Sequence, residues 1–405
     1  MKKVCTYTLA LVAAFVLSEC KPLKNAQTSS KGDLVQKKFK TEIPFERASQ
    51  LIKINVGLNS SKEKHDFIFD TGAGTTVVSK KLADLLGLKK ISDITVKDAL
   101  GNASQQDIVN IDSLDINGHK FYNINAVVVE FGKYSPVNCL GTDGIIGANV
   151  LSKCNWTVDY QRKILTATDT DLVFHQPSVS LPFNSAVPHI DIQIGGATIK
   201  DVIVDLGSNE SVTLPSSVLD QTPGLKISNM AYRKIDGMAE GLNGTHMDTV
   251  WMYSSDNIKL GSQIYSHISV SQSRNYLAKV GADFWDKNLI GLDYKNHKLL
   301  VSKNSDEPQK NYLKGYGFKV ANRDGKYIIS LLVDNSPAAD AGLKIGDEVL
   351  ELNNQPVATL FSDYCEGLSW QTGHMDEETQ LTVKMLKNNK EYLKLKNADY
   401  RPATK

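Results

Sequence analysis

Apolar and polar residues alternate along most of the chain with a period of two. Residues 51–58 and 121–130 show this alternation, and residues 189–195 repeat it in the second half. A period of two places successive side chains on opposite faces of a strand, so that one face can be buried. A short helix is indicated between Ser79, which can cap its first turn, and Gly87, which can end it. The pattern therefore predicts a mainly β protein.

A strand that is apolar throughout, residues 67–69, leads directly into an acidic loop. The loop reads Asp70, Thr71, Gly72 and Ala73, and a β-branched segment follows it. Asp, Gly and small hydroxyl residues suit a tight loop at the end of a strand. We expect this loop to hold one carboxylate between two buried strands.

The same pattern returns in the second half of the chain. Residues 202–204 are apolar, and the loop that follows them reads Asp205, Leu206, Gly207 and Ser208. An alternating strand precedes this loop, and a strand with a short helix follows it, as in the first half. The chain therefore contains two copies of one pattern, each with a single acidic loop.

Later features keep a nearly constant distance from the two acidic loops. Gly147, which follows two Ile residues, lies 77 positions after Asp70, and Gly281 lies 76 positions after Asp205. Two hairpin turns are predicted at matching positions, one at Gly101 and Asn102 and the other at Gly237. Because neither copy holds a whole site, a repeat of this kind implies two lobes that face each other.

The first acidic loop and the later Ile-Ile-Gly segment resemble the active-site loop and the closing strand of aspartic proteases, the pepsin and retropepsin families. The resemblance implies two pseudo-symmetric retropepsin-like β-barrel lobes that form a pepsin-like bilobed unit. We assign the first repeat to residues 42–172 and the second repeat to residues 173–305. A chain with both loops would work as a monomer. The alternative is an unrelated β-domain that matches the motif by chance.

In the resembled family the two carboxylates share one proton, because like charges at that distance cannot both ionise easily. The resemblance implies that Asp70 and Asp205 activate a water molecule, which attacks a carbonyl of an extended peptide or unfolded segment. The two predicted hairpins would form flaps that exclude water from the cleft. No metal or organic cofactor is implied. The residues expected to orient the carboxylates are Thr71, Gly72, Gly207 and Ser208.

The second acidic loop departs from the family pattern at Leu206. In the family each loop carries a Thr whose hydroxyl hydrogen-bonds across to the opposite loop. Leu206 has no polar side-chain atom, so we expect Thr71 to lose its partner across the cleft. Carboxylates that are held less rigidly catalyse less well. Two functions therefore remain open: an active aspartic endopeptidase, and a catalytically impaired protease-like protein that binds peptides or acts as a scaffold.

The C-terminal module, residues 312–397, follows a polar segment that suits a linker. A small-residue helix at residues 336–343 and a closing hairpin lie within the module. Its first strand begins at a Gly-rich turn made of Gly315, Tyr316, Gly317 and Phe318. This succession resembles a PDZ domain, which adds a peptide strand to a sheet edge. The resemblance implies that the turn binds the terminal carboxylate of a C-terminal peptide. The alternative is a module that only docks on the protease.

The N-terminus has the form of an export signal. Two lysines precede an apolar run within residues 1–20, and the run is too short for a membrane span. Residues 17–20 resemble a bacterial lipobox, and the resemblance implies a lipid anchor at Cys20 in the periplasm or cell envelope. Glu19 departs from the lipobox pattern. Ordinary signal cleavage is the alternative. Residues 21–41 are polar and are expected to form a tether.

Composition adds limits to these expectations. A chain of 405 residues is long enough for about two to three domains. Its 46 Lys and Arg balance 45 Asp and Glu, so nothing points to nucleic acid as a partner. The His and Cys residues show no metal-ligand spacing. Cys139 and Cys154 form a disulfide in an oxidising compartment or remain two buried thiols, and the sequence leaves both open.

Overall fold

Strands dominate the structure, which confirms the predicted mainly β class. A computed structural model describes residues 31–399, except residues 98–102, 132–135, 176, 184, 223–224, 226–231, 242–243, 275, 304–313 and 387–391. The predicted signal and Cys20 lie outside the described residues. Within the described part, every helix is too short or too polar to span a membrane.

The first repeat and the segment before it form twelve strands and three short helices. The strands are β1 (Asp33–Leu34), β2 (Lys40–Pro44), β3 (Glu46–Ala48), β4 (Leu51–Leu58), β5 (Lys64–Phe69), β6 (Thr76–Ser79), β7 (Lys90–Lys97), β8 (Ala103–Ile116), β9 (His119–Val129), β10 (Gly144–Ile146), β11 (Asn155–Asp159) and β12 (Ile164–Thr168). The helices are α1 (Lys80–Leu85), α2 (Ala148–Leu151) and a 3-10 helix at Pro136–Leu140.

Helix α1 forms where the sequence predicts it. The Ser79 side chain accepts a hydrogen bond from the Leu82 N–H at 3.1 Å, so it satisfies one of the free donors of the first turn. Gly87 lies just beyond the helix with φ of 61°, a left-handed conformation that glycine adopts easily. Ser79 and Gly87 therefore mark the two ends of the helix, as predicted.

A nine-stranded sheet organises the first repeat. Its pairing runs β9–β6–β10–β5–β4–β8, and β8 pairs again with β9, so these strands form a closed ring of pairings. β10 lies parallel to β5 and places Ile146 beside Phe69, at the end of the strand that leads into the acidic loop. The buried side chains of the ring divide between one large apolar core, which includes Phe67 and Phe69, and a smaller apolar cluster, which includes Ile68 and Ile145.

The second repeat forms twelve further strands and two short helices. The strands are β13 (Val179–Pro182), β14 (His189–Ile194), β15 (Ala197–Asp205), β16 (Val212–Pro215), β17 (Arg233–Gly241), β18 (Gly244–Ser255), β19 (Ile258–Leu260), β20 (Gln263–Tyr265), β21 (Ile268–Ser273), β22 (Lys279–Gly281), β23 (Asn288–Asp293) and β24 (Lys298–Lys303). The helices are α3 (Ser216–Gln221) and α4 (Ala282–Trp285).

The strand order of the first repeat recurs in the second. The order β4–β5–β10–β6–β9–β8–β7 has its counterpart in β14–β15–β22–β16–β21–β18–β17. Parallel and antiparallel pairs also correspond: β10 is parallel to β5, and β22 is parallel to β15. Each acidic loop therefore begins at the same point of the same arrangement of strands.

A separate six-stranded sheet joins the two repeats. Its order is β13–β24–β23–β11–β12–β2, and β11 of the first repeat pairs antiparallel with β23 of the second. In this pairing Trp156 lies opposite Leu292, and both side chains are fully buried. The two repeats consequently share one continuous core, which fixes one acidic loop relative to the other.

Part of the segment expected to form a tether is folded. β1 pairs with β9, and β2, which begins at Lys40, pairs with β12. Phe39 is buried and packs on the ring of His119. The tether prediction is wrong for these residues, because two short edge strands and one anchoring aromatic residue leave no periodic pattern in a polar sequence.

The C-terminal module has its own small core and its own sheet. Its strands are β25 (Lys314–Gly315), β26 (Phe318–Arg323), β27 (Lys326–Val333), β28 (Val349–Leu352), β29 (Gln355–Pro356), β30 (Gln380–Met385), β31 (Tyr392–Lys396) and β32 (Ala398–Asp399). Its helices are α5 (Pro337–Asp340), α6 (Val357–Leu360) and α7 (Tyr364–Glu377).

The module is joined to the second repeat by a shared sheet. β27 pairs antiparallel with β17, which places Leu332 opposite Asp236, so β26 and β27 extend the sheet of the second repeat to eleven strands. The Lys234 N–H also donates to an Asp334 carboxylate oxygen at 2.8 Å. The module is therefore held by backbone pairing on the strand that begins the second hairpin.

A disulfide joins the module to the first repeat. Cys139 on the 3-10 helix bonds to Cys365 on α7, and the two positions are 226 residues apart in sequence. Cys154 is a buried free thiol. The possible Cys139–Cys154 pair therefore does not form, since the partner of Cys139 comes from the other end of the chain, which spacing along the sequence does not reveal.

The disulfide predicts a specific response to reduction. Because it closes a loop of 226 residues, we expect reduction to lower the free energy of unfolding by about 2–5 kcal/mol. Denaturant unfolding with and without a thiol reductant measures this change. The Cys139→Ser variant should not respond to the reductant, and Cys154→Ala should respond as the parent does. A parent that unfolds identically under both conditions would contradict the assignment.

Candidate active site

Each acidic side chain is oriented by the backbone of its own loop. Asp70 follows β5, and its Oδ1 accepts hydrogen bonds from the N–H groups of Gly72 at 2.8 Å and Ala73 at 3.1 Å. Asp205 ends β15, and its Oδ1 accepts from the Gly207 N–H at 3.0 Å. Tight loops after strands supply such free N–H groups, as the sequence predicts. Both carboxylates are held in defined orientations.

The structure brings the two acidic loops together face to face. A Cβ added to Gly72 would lie 2.6 Å from Cγ of Asp205, and a Cβ added to Gly207 would lie 2.1 Å from Cγ of Asp70. Each glycine therefore lies directly against the opposite carboxyl group, where a larger side chain has no room. The exposed fractions of Asp70 and Asp205 are 4% and 1%, so both acids are removed from water.

Burial and mutual repulsion favour a shared proton. Burial raises the pKa of the Asp70 carboxyl well above its usual range, and the charge of Asp205 raises it further. The hydrogen bond from the Gly72 N–H opposes this rise. Two carboxylates this close cannot easily both be charged, so one of them retains a proton at pH values where an exposed acid has lost it. The pair can supply one acid and one base.

Thr71 keeps its partners in the opposite repeat. Its hydroxyl donates to the backbone carbonyl of Val204 and accepts from the Leu206 N–H at 3.0 Å. The prediction that Leu206 deprives Thr71 of a partner is wrong, because both partners are backbone groups, which any residue at position 206 provides. The Leu206 side chain is fully buried in the core and makes no polar contact in return.

Ser208 is buried in the second loop, but its hydroxyl has no hydrogen-bond partner among the described residues. Its backbone carbonyl accepts from the Ala282 N–H at 2.7 Å. Ser208, which is expected to help orient the carboxylates, thus supports the loop through its backbone.

Sequence reasoning missed a buried lysine beside the acids. The Nζ of Lys279 on β22 lies 3.3 Å from Oδ2 of Asp205, and the two side chains are 7% and 2% exposed. In the register of the sheets Lys279 lies beside Ile203, as Ile145 lies beside Ile68 in the first repeat. The sequence does contain a signal for it, because the equivalent strand of the first repeat, β10, carries Ile145 where β22 carries Lys279.

A second acid lies close to this ion pair. Glu210 is buried, and burial raises the pKa of its carboxyl to about 7, with a smaller contribution from the charge of Asp205. Lys279 and a hydrogen bond at 3.2 Å from the Tyr276 hydroxyl both oppose the rise. The other carboxyl oxygen, Oε2, has no hydrogen-bond partner among the described residues. Two buried ionisable groups, Lys279 and Glu210, therefore lie close to Asp205.

The two predicted flaps have different outcomes. Gly101 and Asn102 lie outside the described residues, while β7 and β8 on either side of them pair antiparallel. Gly237 lies inside β17, between Asp248 on β18 and Leu331 on β27. The predicted turn at Gly237 is wrong: β17 and β18 continue pairing to the end of the longer hairpin, and a glycine within a strand looks like a turn glycine when the register is unknown.

The Gly-rich turn of the C-terminal module is built into its core. Gly315 belongs to β25, and Gly317 has φ of 79°, a conformation that favours glycine. Tyr316 is fully buried, and its hydroxyl donates to the Glu378 carbonyl at 2.7 Å. Phe318 is buried at the start of β26. Two side chains of the predicted peptide-binding turn therefore stabilise the module itself, which leaves the turn only backbone groups for a ligand.

A side chain of α7 occupies the edge of β26. Oε1 of Gln371 accepts from the Val320 N–H at 2.7 Å, and Nε2 donates to the Val320 carbonyl at 2.9 Å. Gln371 is only 3% exposed. These are the two backbone groups that a peptide strand added to this edge would use at that position. A peptide that binds beside β26 must first displace Gln371.

Comparison with known families gives two matches. Residues 53–150 match the family model described as aspartyl protease, and residues 314–394 match the model described as PDZ domain. No protein with a curated description matches the chain. Among the described residues, no cluster of His, Cys, Asp and Glu could hold a metal ion.

The chain contains an aspartyl protease-like domain and a C-terminal PDZ domain. The first match includes Asp70, and it ends before Asp205. The assignment of the second acidic loop to the site therefore depends on its geometry and on the repeated strand order. Together the two domains define a protease-like protein with a peptide-binding module.

The buried Glu210 predicts that stability depends on pH. Folding raises the pKa of the Glu210 carboxyl from 4.5 to about 7. The resulting stabilisation is fully present below pH 4.5 and is lost as the pH rises through about 7. Glu210→Gln cannot ionise, so near pH 8 it should unfold with a free energy about 3 kcal/mol above the parent. Below about pH 4 the difference should disappear.

Denaturant unfolding at both pH values tests this expectation. Glu63→Gln, at an exposed position of the first repeat, is the control and should change stability little at either pH. A parent that is more stable than Glu210→Gln near pH 8 would show that attraction to Lys279 outweighs burial, contrary to the expectation.

The hydrogen bonds of Gln371 to Val320 predict that peptides bind beside β26 more tightly once this side chain is removed. Gln371→Ala removes the side chain that a peptide must displace, and each of its hydrogen bonds contributes about 1 kcal/mol. We therefore expect peptides with a free C-terminal carboxylate to bind about 10- to 30-fold more tightly to the variant. Fluorescence titration against a C-terminal peptide library measures the affinity. Gln355→Ala, at an exposed position of the same module, is the control. Equal binding to parent and variant would refute the role of Gln371.

Proposed function

We propose that the protein is an aspartic endopeptidase, which hydrolyses peptide bonds in extended polypeptides with a water molecule activated between Asp70 and Asp205. One observation carries the proposal: two buried carboxyl groups face each other, each against the glycine of the opposite loop. Burial of two acids is costly, and a buried acid with a raised pKa, such as Asp70, is common where that shift serves chemistry. A purely structural pair of acids in this arrangement would only destabilise the fold.

The proposed chemistry uses the shared proton. The charged carboxylate takes a proton from water, whose oxygen attacks the peptide carbonyl carbon. The protonated carboxyl group donates to the carbonyl oxygen, so that a neutral tetrahedral diol forms. This intermediate collapses as the C–N bond breaks and the leaving nitrogen takes a proton from the dyad. The loop N–H groups and the Thr71 hydroxyl hold the two carboxyl groups in position throughout the reaction.

The hairpin arrangement supports an extended peptide as substrate. The β7–β8 and β17–β18 hairpins occupy equivalent places in the two repeats. Hairpins at these positions would close over a cleft that contains the acids, exclude water and offer backbone hydrogen bonds to a peptide strand. The PDZ module would recruit a peptide or substrate, and it docks on the second hairpin through β27.

We also propose that the protein is exported and remains at the cell envelope as a monomer, anchored by a lipid on Cys20. The apolar run and the lipobox-like residues 17–20 support the anchor. The Cys139–Cys365 disulfide supports an oxidising compartment, because disulfides rarely persist in a reducing cytosol. Two acidic loops in one chain support a monomer, since no second copy is needed to complete the pair.

A second function is a catalytically impaired, peptide-binding scaffold. The observation that favours it is the asymmetry of the second loop, where Leu206 replaces a hydroxyl residue and Lys279 pairs with Asp205. In that case the cleft would bind an extended peptide without cleaving it. The two functions differ in one measurable property, the appearance of new peptide ends.

The full-length protein should cleave members of a mixed peptide library, measured by mass spectrometry from acidic to neutral pH. Asp70→Asn and Asp205→Asn should each lower the rate by at least about 10²- to 10⁴-fold, because each removes one partner of the acid–base pair. Asp84→Asn, at an exposed position of α1, is the matched control and should cleave normally.

Cleavage that survives Asp205→Asn would show that the second loop is not catalytic. Binding of peptides by a folded parent that produces no new ends at any pH would favour the scaffold.

A further inference from the structure

We propose that Lys279 is a positioning residue that divides the roles of the two acids. It pairs with Asp205, so that Asp205 is the carboxylate that accepts the proton of water and Asp70 is the acid that protonates the peptide carbonyl. The proposal rests on the proposed protease function and goes beyond it, because the two-acid mechanism by itself does not say which acid carries the proton.

The position of Lys279 explains why it must pair with an acid. Its side chain is 7% exposed, and an ammonium group that is removed from water needs an opposite charge nearby. The Oδ2 atom of Asp205 lies 3.3 Å away. The Oδ1 atom of the same carboxylate accepts a hydrogen bond from the Gly207 N–H. One oxygen of Asp205 therefore faces a cation and the other accepts a backbone hydrogen bond, and the cation is the contact that favours negative charge on this group.

Asp70 has a different environment. Its described partners on its own loop are two backbone N–H groups, and no described lysine or arginine forms an ion pair with it. The residue of the first repeat in the position of Lys279 is Ile145, which packs in an apolar cluster. The two repeats thus have the same strand order and differ in charge at this equivalent position. This asymmetry leaves the proton of the pair on Asp70.

The fold does not require a lysine at this position. β10 and β22 occupy the same place in the two sheets and have the same parallel and antiparallel neighbours, although one carries Ile145 and the other Lys279. A buried lysine is expensive where an apolar residue fits the same strand. Its presence beside an acid of the pair is therefore best explained by an electrostatic role.

Other charged groups around the pair modulate this effect. Glu210 interacts with both Asp205 and Lys279, so its ionisation near neutral pH adds a second anion beside the same ammonium. The titratable groups that interact with the pair are Asp70 and Glu210, and Glu210 in turn interacts with Tyr276, which lies near Asp248. The ammonium should therefore pair most completely with Asp205 below neutral pH, where Glu210 is protonated.

Two protons move during the attack on the peptide carbonyl. One water proton passes to the Asp205 carboxylate as the water oxygen bonds to the carbonyl carbon, and the Asp70 proton passes to the carbonyl oxygen. After this step Asp205 is protonated and Asp70 is charged. When the C–N bond breaks, the leaving nitrogen takes the proton of Asp205, and Asp70 recovers its proton as the carbonyl reforms. Lys279 exchanges no proton in this sequence.

The first test is the pH profile of peptide cleavage by full-length Lys279→Met. The ammonium favours the singly charged pair, so its removal should move the acidic limb of the profile towards higher pH by about one unit or more. It should also lower kcat about 10- to 100-fold with a smaller change in KM. Lys279→Arg keeps the charge and should retain the position of the acidic limb. Lys295→Met, at an exposed lysine paired with Asp171, is the control.

The second test does not need activity. A double-mutant cycle of Lys279→Met with Asp205→Asn, measured by denaturant unfolding, should show that the two changes are coupled at least about tenfold in the unfolding equilibrium constant. The cycle with Asp70→Asn should show a clearly smaller coupling. Equal coupling to both acids, or an unchanged pH profile in a folded Lys279→Met, would overturn the proposal.

The two tests separate this proposal from the proposed function. A parent that cleaves peptides and shows equal coupling to both acids keeps the protease function and loses the role of Lys279. A parent that cleaves nothing and shows selective coupling to Asp205 loses the protease function and keeps the charge assignment within the pair.

Discussion

The contact between two buried carboxyl groups is the constraint on which the rest of the structure depends. Asp70 and Asp205 come from loops that are 135 residues apart, and each lies against the glycine of the other loop. Such a pair is unfavourable by itself, because burial and like charge both act against ionisation. It persists because many backbone groups hold the loops in place, among them the partners of the Thr71 hydroxyl.

The surrounding sheets transmit that constraint to the whole chain. The six-stranded sheet fixes one repeat against the other through β11 and β23. The PDZ domain is attached at two places, through β27 on the second repeat and through the Cys139–Cys365 bond to the first. A domain tied to both repeats restricts their relative motion. In the proposed protease it would also influence the hairpin over the cleft, because β17 belongs to both structures.

Much of the fold could be predicted because it has local causes. The alternation of apolar and polar residues indicates strands, Ser79 and Gly87 mark a helix, and two similar loops at similar spacings indicate a repeat. The errors have a different origin. The turn predicted at Gly237 is wrong because strand register is not visible in sequence. The predicted loss of a partner for Thr71 is wrong because its bonds involve backbone atoms, whose positions a side-chain pattern does not report.

The sequence by itself determined the mainly β class, the two acidic loops and the two kinds of domain, since these depend on short segments whose chemistry is local. Only the tertiary structure decided which groups meet. It placed Lys279 beside Asp205, Gln371 on the edge of β26 and Cys365 beside Cys139. These contacts join residues that are far apart in the chain, and their energies depend on distance and burial, which exist only once the strands have packed.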